Sequence, residues 1–125
     1  MTTGLDGHRV LVVEDESLVA MLLETMLEDM GCTPVGPIGT VEEALEVIAA
    51  DPALDAALLD VNVAGRALFP VAQALADKGV PFLFSTGYGE GGLPDDWRGR
   101  PTIQKPFTEA TVREALQKTL GISLA

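Results

Sequence analysis

At 125 residues the chain has room for one domain with its own core and none for a second folded module. Hydrophobic residues make up 47% of it, a content that excludes wholesale disorder. The net charge of −11, from 8 basic against 19 acidic side chains, works against nucleic acid or an anionic membrane as partner and favours a divalent cation or a basic protein surface.

The first nine residues are short and polar and lack the apolar stretch of a signal peptide. Arg9–Val13 reads R-V-L-V-V, an apolar run of the kind found in buried strands. It ends in three acids, Glu14, Asp15 and Glu16. Residues 17–30 carry Leu18, Met21, Leu22 and Met26 near helical spacing, without Gly or Pro, and Gly31 is placed to stop that helix. Cys32, the only cysteine, allows no internal disulfide; a reducing compartment, the cytoplasm, is the expectation, with Cys32 a small buried hydrophobe.

The stretch from Cys32 to Pro37 is expected to be a second strand, weakened by Pro34 and Pro37. Thr40 and Glu43 have the spacing of a capping box ahead of a helix over Val41–Ala50, which Asp51-Pro52 breaks. A third strand, residues 56–59, ends at Asp60. Gly65 opens a segment leading to a helix on Leu68, Val71, Ala72, Leu75 and Ala76 that finishes near Gly79. Residues 80–84 form the fourth strand, ending in Ser85-Thr86-Gly87. Residues 88–99, rich in Gly, Pro and Asp, offer at best a short helix. Thr102–Gln104 is a short polar edge strand, followed by Lys105-Pro106-Phe107 and a last helix over residues 109–120. No run is apolar for the 18 or more residues of a membrane span.

Strand and helix alternate five times, so the expectation is a parallel sheet covered on both faces. The polar residues fall at strand ends: the acid cluster after the first, Asp60 after the third, Thr86 after the fourth and Lys105 after the fifth. Ligands of open parallel sheets bind outside the carboxyl ends of the strands. Clustered carboxylates need a hard cation, for which magnesium is the first candidate and manganese the second. Lys105 supplies a mobile positive charge, Thr86 a hydroxyl, and Gly87 room for backbone N–H groups to approach. Such a set suits a carboxylate that attacks phosphorus.

This constellation resembles the bacterial response-regulator receiver family over residues 9–120. The resemblance implies a flavodoxin-like, doubly wound α/β fold with a five-stranded parallel sheet, order 2-1-3-4-5, and helices on both faces. It further implies a single receiver domain over residues 1–125. By it, Glu14 and Asp15 match the acidic pair, Asp60 the phosphoacceptor, Thr86 the hydroxyl residue and Lys105 the lysine before proline. Asn62 would lend a backbone carbonyl to the metal, and the backbone at Val61 and Gly87 would face the phosphoryl group. The implied partners are a histidine kinase or phosphotransfer protein and a downstream protein target, with no role for nucleic acid or membrane.

Phe84-Ser-Thr-Gly-Tyr88 resembles the receiver subclass with a Phe-Ala-Thr-Gly-bulky motif. Thr102 stands where that family usually has a switch aromatic, and Asp60-Val-Asn-Val-Ala-Gly65 lacks the usual proline. Tyr88 and Thr102 are therefore the candidate switch or gating residues. Two other readings compete. A haloacid-dehalogenase-like phosphotransferase would need a second acid where Asn62 stands, and a cap domain. A receiver-like scaffold would bind a partner without phosphorylation, against the intact set of Asp15, Asp60, Thr86 and Lys105. Met1, Thr2 and Thr3 read as a start and residues 120–125 as an end, giving the expectation of a stand-alone protein.

Overall fold

Alternation along the inner strands divides the core in two. Leu11 and Val13, Ala57 and Leu59, and Phe82 and Phe84 project to one side of a sheet; Val10 and Val12, Ala56 and Leu58, and Leu83 and Ile103 project to the other. With both faces apolar, each strand needs a helical layer on either side. The computed structural model describes residues 4–63, 66–86 and 100–122. Its sheet strands are β1 (Arg9–Val13), β2 (Thr33–Ile38), β3 (Ala56–Asp60), β6 (Phe82–Thr86) and β7 (Thr102–Gln104). All neighbours pair in parallel, in the order β2-β1-β3-β6-β7. Counted along the sheet's own five strands this is 2-1-3-4-5, the flavodoxin-like order.

The helices are α1 (Ser17–Asp29), α2 (Val41–Ala50), α3 (Phe69–Asp77) and α4 (Glu109–Thr119). Val41, Ala44 and Ile48 of α2 and Val71, Ala72 and Leu75 of α3 cover the first face. Leu23 and Leu27 of α1 and Val112 and Leu116 of α4 cover the second, joined there by Leu5, fully buried ahead of β1. Thr40 caps α2 as its spacing predicts, its hydroxyl accepting the Glu43 N–H at 3.1 Å. Among the described residues no helix is long and apolar enough to cross a membrane.

Four local expectations are revised. The fourth sheet strand begins at Phe82, not at Val80, because β3 offers it partners only from Ala57 onward. β2 is a full strand despite Pro34 and Pro37, since an edge strand needs ladder bonds on one side only. Residues after Asp60 form a small antiparallel ribbon, β4 (Asn62–Val63) with β5 (Arg66–Ala67), which the turn-rich sequence did not announce. The core-facing side of α1 is Ala20, Leu23, Met26 and Leu27, whereas Leu18, Met21 and Leu22 are turned outward.

Candidate phosphoacceptor site

The strand ends converge as predicted, and the local bonding shows how. The β1–β2 register shifts between Leu11 and Val13, so that Val13 pairs with Ile38. Gly36 makes this irregularity feasible: its φ is +100°, and a Cβ there would stand 2.8 Å from the Ile38 nitrogen and 3.0 Å from the Val12 oxygen. The Ile38 carbonyl thereby accepts the Glu14 N–H at 2.9 Å, fixing Glu14 just beyond the end of β1. Asp60, the last residue of β3, follows Leu58 on the face covered by α1 and α4. Lys105 is held just past β7 by its N–H, which donates to the Thr86 carbonyl at 3.0 Å.

From there Lys105 reaches across the sheet. Its Nζ lies 3.0 Å from Glu14 Oε1, 3.4 Å from Asp60 Oδ2 and 3.4 Å from Glu16 Oε1. One carboxylate oxygen from each of Glu14, Asp15 and Asp60 lies within 4.8 Å of the others. Glu14 is only 2% exposed and Asp60 8%, while Asp15 is open to solvent. The sequence alone favoured Asp15 over Glu14 as a ligand; the structure buries Glu14 and leaves Asp15 exposed. Glu16, which the sequence did not single out, both pairs with Lys105 and donates its N–H to Glu14 Oε2 at 3.1 Å. Its signal was adjacency to the acid pair, which sequence alone could not separate from a solvated strand end.

Burial pushes the Glu14 carboxyl up to about 7, with Asp60 adding to the rise and Lys105 and the Glu16 N–H opposing it. Desolvation by itself would lower Lys105, but the ion pair with Glu14 and the charge of Asp60 outweigh it and the ammonium is held above its ordinary value. The Lys105 contact does not complete the site: Glu14 Oε1 is buried with no aligned hydrogen-bond donor. A dense group of carboxylates containing such an oxygen fits a hard divalent cation.

Thr86 ends β6 and is 2% exposed, beside the Lys105 backbone. The Val61 N–H, expected to face a phosphoryl group, donates instead to the Ser85 carbonyl at 3.1 Å, because the β3–β6 ladder runs one residue past Asp60. Asn62 opens β4 directly after it. Thr102 lies on β7 with its hydroxyl donating to the Arg100 carbonyl at 3.1 Å. Gly87, Tyr88 and the rest of the segment to residue 99 lie outside the described residues. Phe107 is half-buried and packs against the core under α1 and α4. Cys32 is buried, its thiol pushed up to about 11 by burial and then by Asp6 and Asp55, consistent with a packing role.

No family model matches the chain. Among solved structures it is similar to SdrG from Sphingomonas melonis Fr1, with 43% identity, 96% of this chain and 99% of that one covered, and a TM-score of 0.82. The chain belongs to the response-regulator receiver family. It is also similar to the BeF3-activated conformation of SdrG from Pseudomonas melonis Fr1, at 45% identity over 90% of this receiver and 95% of that chain, TM-score 0.78. The phyllosphere-induced regulator PhyR of Methylorubrum extorquens is 32% identical over 115 residues, 89% of this chain but 43% of that protein. The receiver thus spans under half the length of that regulator. Within the family frame, Glu14, Asp15 and Asp60 form a phosphoacceptor cluster of the kind used in phosphorylation-based signal transduction, able to coordinate a divalent metal. Receivers operate between a sensor kinase or phosphotransfer protein and a downstream target.

Proposed function

We propose that Asp60 accepts a phosphoryl group from a phosphohistidine on a kinase or phosphotransfer protein, and that the resulting aspartyl phosphate regulates a protein target. The observation that carries this reading is the reach of Lys105 to Asp60 Oδ2 across a cluster of three carboxylates. An Asp60 oxygen attacks phosphorus in line, the phosphorus–nitrogen bond of the donor breaks, and the electron pair stays on the imidazole. Lys105 is already aimed at the reacting carboxylate and follows the added negative charge onto the phosphoryl oxygens. Thr86, at the carboxyl end of β6, supplies a hydroxyl for one of those oxygens. Glu14, Asp15, Asp60 and the Asn62 carbonyl would hold magnesium. When bound, it neutralises the acid cluster and screens the incoming phosphoryl charge. A solved relative trapped with BeF3, a tetrahedral stand-in for a phosphoryl group, supports the same chemistry here.

The surface beside the cleft supports a protein as donor. Leu18 is 82% exposed, Met21 61% and Leu22 46%, an apolar patch on the outer side of α1. It runs directly into a cavity of about 330 Å³ lined by Leu22, Val19 and Phe107 together with Glu16 and Lys105 of the site. This patch offers an apolar contact to a donor that brings its phosphohistidine to Asp60, and the charge of −11 favours a basic rim around that contact. A lone buried cysteine, which allows no internal disulfide, and partnership with a sensor kinase support a cytoplasmic location. A single receiver domain over residues 1–125 remains our assignment. Acetyl phosphate with magnesium should add one phosphoryl group to the protein by mass spectrometry, and Asp60→Asn should remove the adduct. The same adduct on Asp60→Asn would sink the assignment.

A further inference from the structure

The scheme above leaves Ser85 unused, yet it is a polar residue in an expensive place. Ser85 is fully buried, and among the described residues its hydroxyl has no hydrogen-bond partner. An orphaned hydroxyl in an apolar layer costs free energy that an alanine in the same slot would not. Its position shows where a partner could come from. On β6, Ser85 stands in register with Asp60 of β3 on one side and Ile103 of β7 on the other. In-register residues of adjacent parallel strands project from the same face, with strands about 4.8 Å apart. Ile103, and Leu83 two residues before Ser85, both belong to the core under α1 and α4. Ser85 therefore directs its hydroxyl to the face from which Asp60 projects. Its carbonyl also accepts the N–H of Val61, so residue 85 is tied to the aspartate turn by backbone as well as by register.

We infer that Ser85 is a further catalytic residue, whose hydroxyl donates to the Asp60 carboxyl during loss of the phosphoryl group. The inference rests on Asp60 being the acceptor. In the resting protein Lys105 approaches the Asp60 carboxylate, at 3.4 Å. Once phosphorus is attached, the ammonium follows the phosphoryl charge, and the Asp60 oxygen not bonded to phosphorus can accept from the neighbouring hydroxyl alongside its other contacts. In hydrolysis, water attacks phosphorus, the bond from phosphorus to the Asp60 oxygen breaks, and its electron pair returns to the carboxylate. The proton from water leaves with inorganic phosphate. A donor on the returning carboxylate eases that departure, so Ser85 shortens the life of the phosphorylated state.

The test is the decay of the phosphorylated protein after removal of excess acetyl phosphate, for wild type, Ser85→Ala and Ser85→Cys. Ser85→Ala should lengthen the lifetime about two- to tenfold, the value of one neutral hydrogen bond, without lowering the melting temperature. Ser85→Cys, nearly the same size with a weaker donor, should fall between. Addition of BeF3 and magnesium should move the Ser85 Cβ resonance in wild type. Equal lifetimes in wild type and Ser85→Ala overturn the inference, as does equal lengthening in both variants, which would mark a packing effect. An unmoved Ser85 resonance in a BeF3-loaded protein overturns it too. A wild type that takes up no phosphoryl group overturns the Asp60 reading beneath it, whereas a labelled wild type with an indistinguishable Ser85→Ala sinks Ser85 alone.

Discussion

Glu14 carries an unusual burden, and Glu14→Gln exposes its size. In the folded protein its carboxyl is raised from 4.5 to about 7, chiefly by burial. Between those values the folded state keeps a proton that the unfolded chain has released. Stability therefore falls as pH rises through that window; below it both states are protonated, and above it the full cost of a buried carboxylate is present. Glutamine is neutral throughout and escapes the cost. Integrating the two titrations, the Gln variant should gain on the order of 2 to 3 kcal/mol on wild type between about pH 5 and about pH 8. The assay is urea unfolding of both proteins in EDTA across that range. Saturating magnesium should narrow the gap at the upper end, because a bound cation stabilises the folded wild-type cluster more than one that has lost the Glu14 charge. A gap that stays constant with pH in EDTA refutes burial as the origin of the shift, and with it the picture of Glu14 as a carboxylate waiting for a cation.

Leu18→Ala and Met21→Ala remove side chains already in solvent, so unfolding should move by less than about 0.5 kcal/mol. Phosphotransfer from a protein donor should slow in both, while labelling by acetyl phosphate stays at the wild-type rate; equal slowing from both donors would disprove docking on α1. Thr102→Ala loses only a bond to the Arg100 carbonyl. Amide chemical-shift changes on adding BeF3 should therefore persist in Thr102→Ala and weaken in Thr86→Ala. Loss of the response in Thr102→Ala, with phosphorylation intact, would restore Thr102 as the switch.

Order along the chain was enough to read the strand–helix alternation and the placement of Asp60, Thr86 and Lys105 at strand ends, because apolar periodicity and its interruption are local properties. Caps such as Thr40 on Glu43 are local for the same reason. Tertiary structure decided what depends on neighbours distant in sequence. Leu18, Met21 and Leu22 have helical spacing like any core stripe, and only the placement of α1 on the sheet showed that Ala20, Leu23 and Leu27 hold the buried side. Three adjacent acids look equivalent in sequence. The Ile38 carbonyl, brought in by β2, is what fixes the Glu14 backbone, while Asp15 and Glu16 stay in water. Ser85 read as one more strand-end residue. Its register with Asp60, and the lack of a hydroxyl partner among the described residues, exist only once β3 and β6 lie side by side. Burial and register are sums over the whole fold, so no window of sequence contains them.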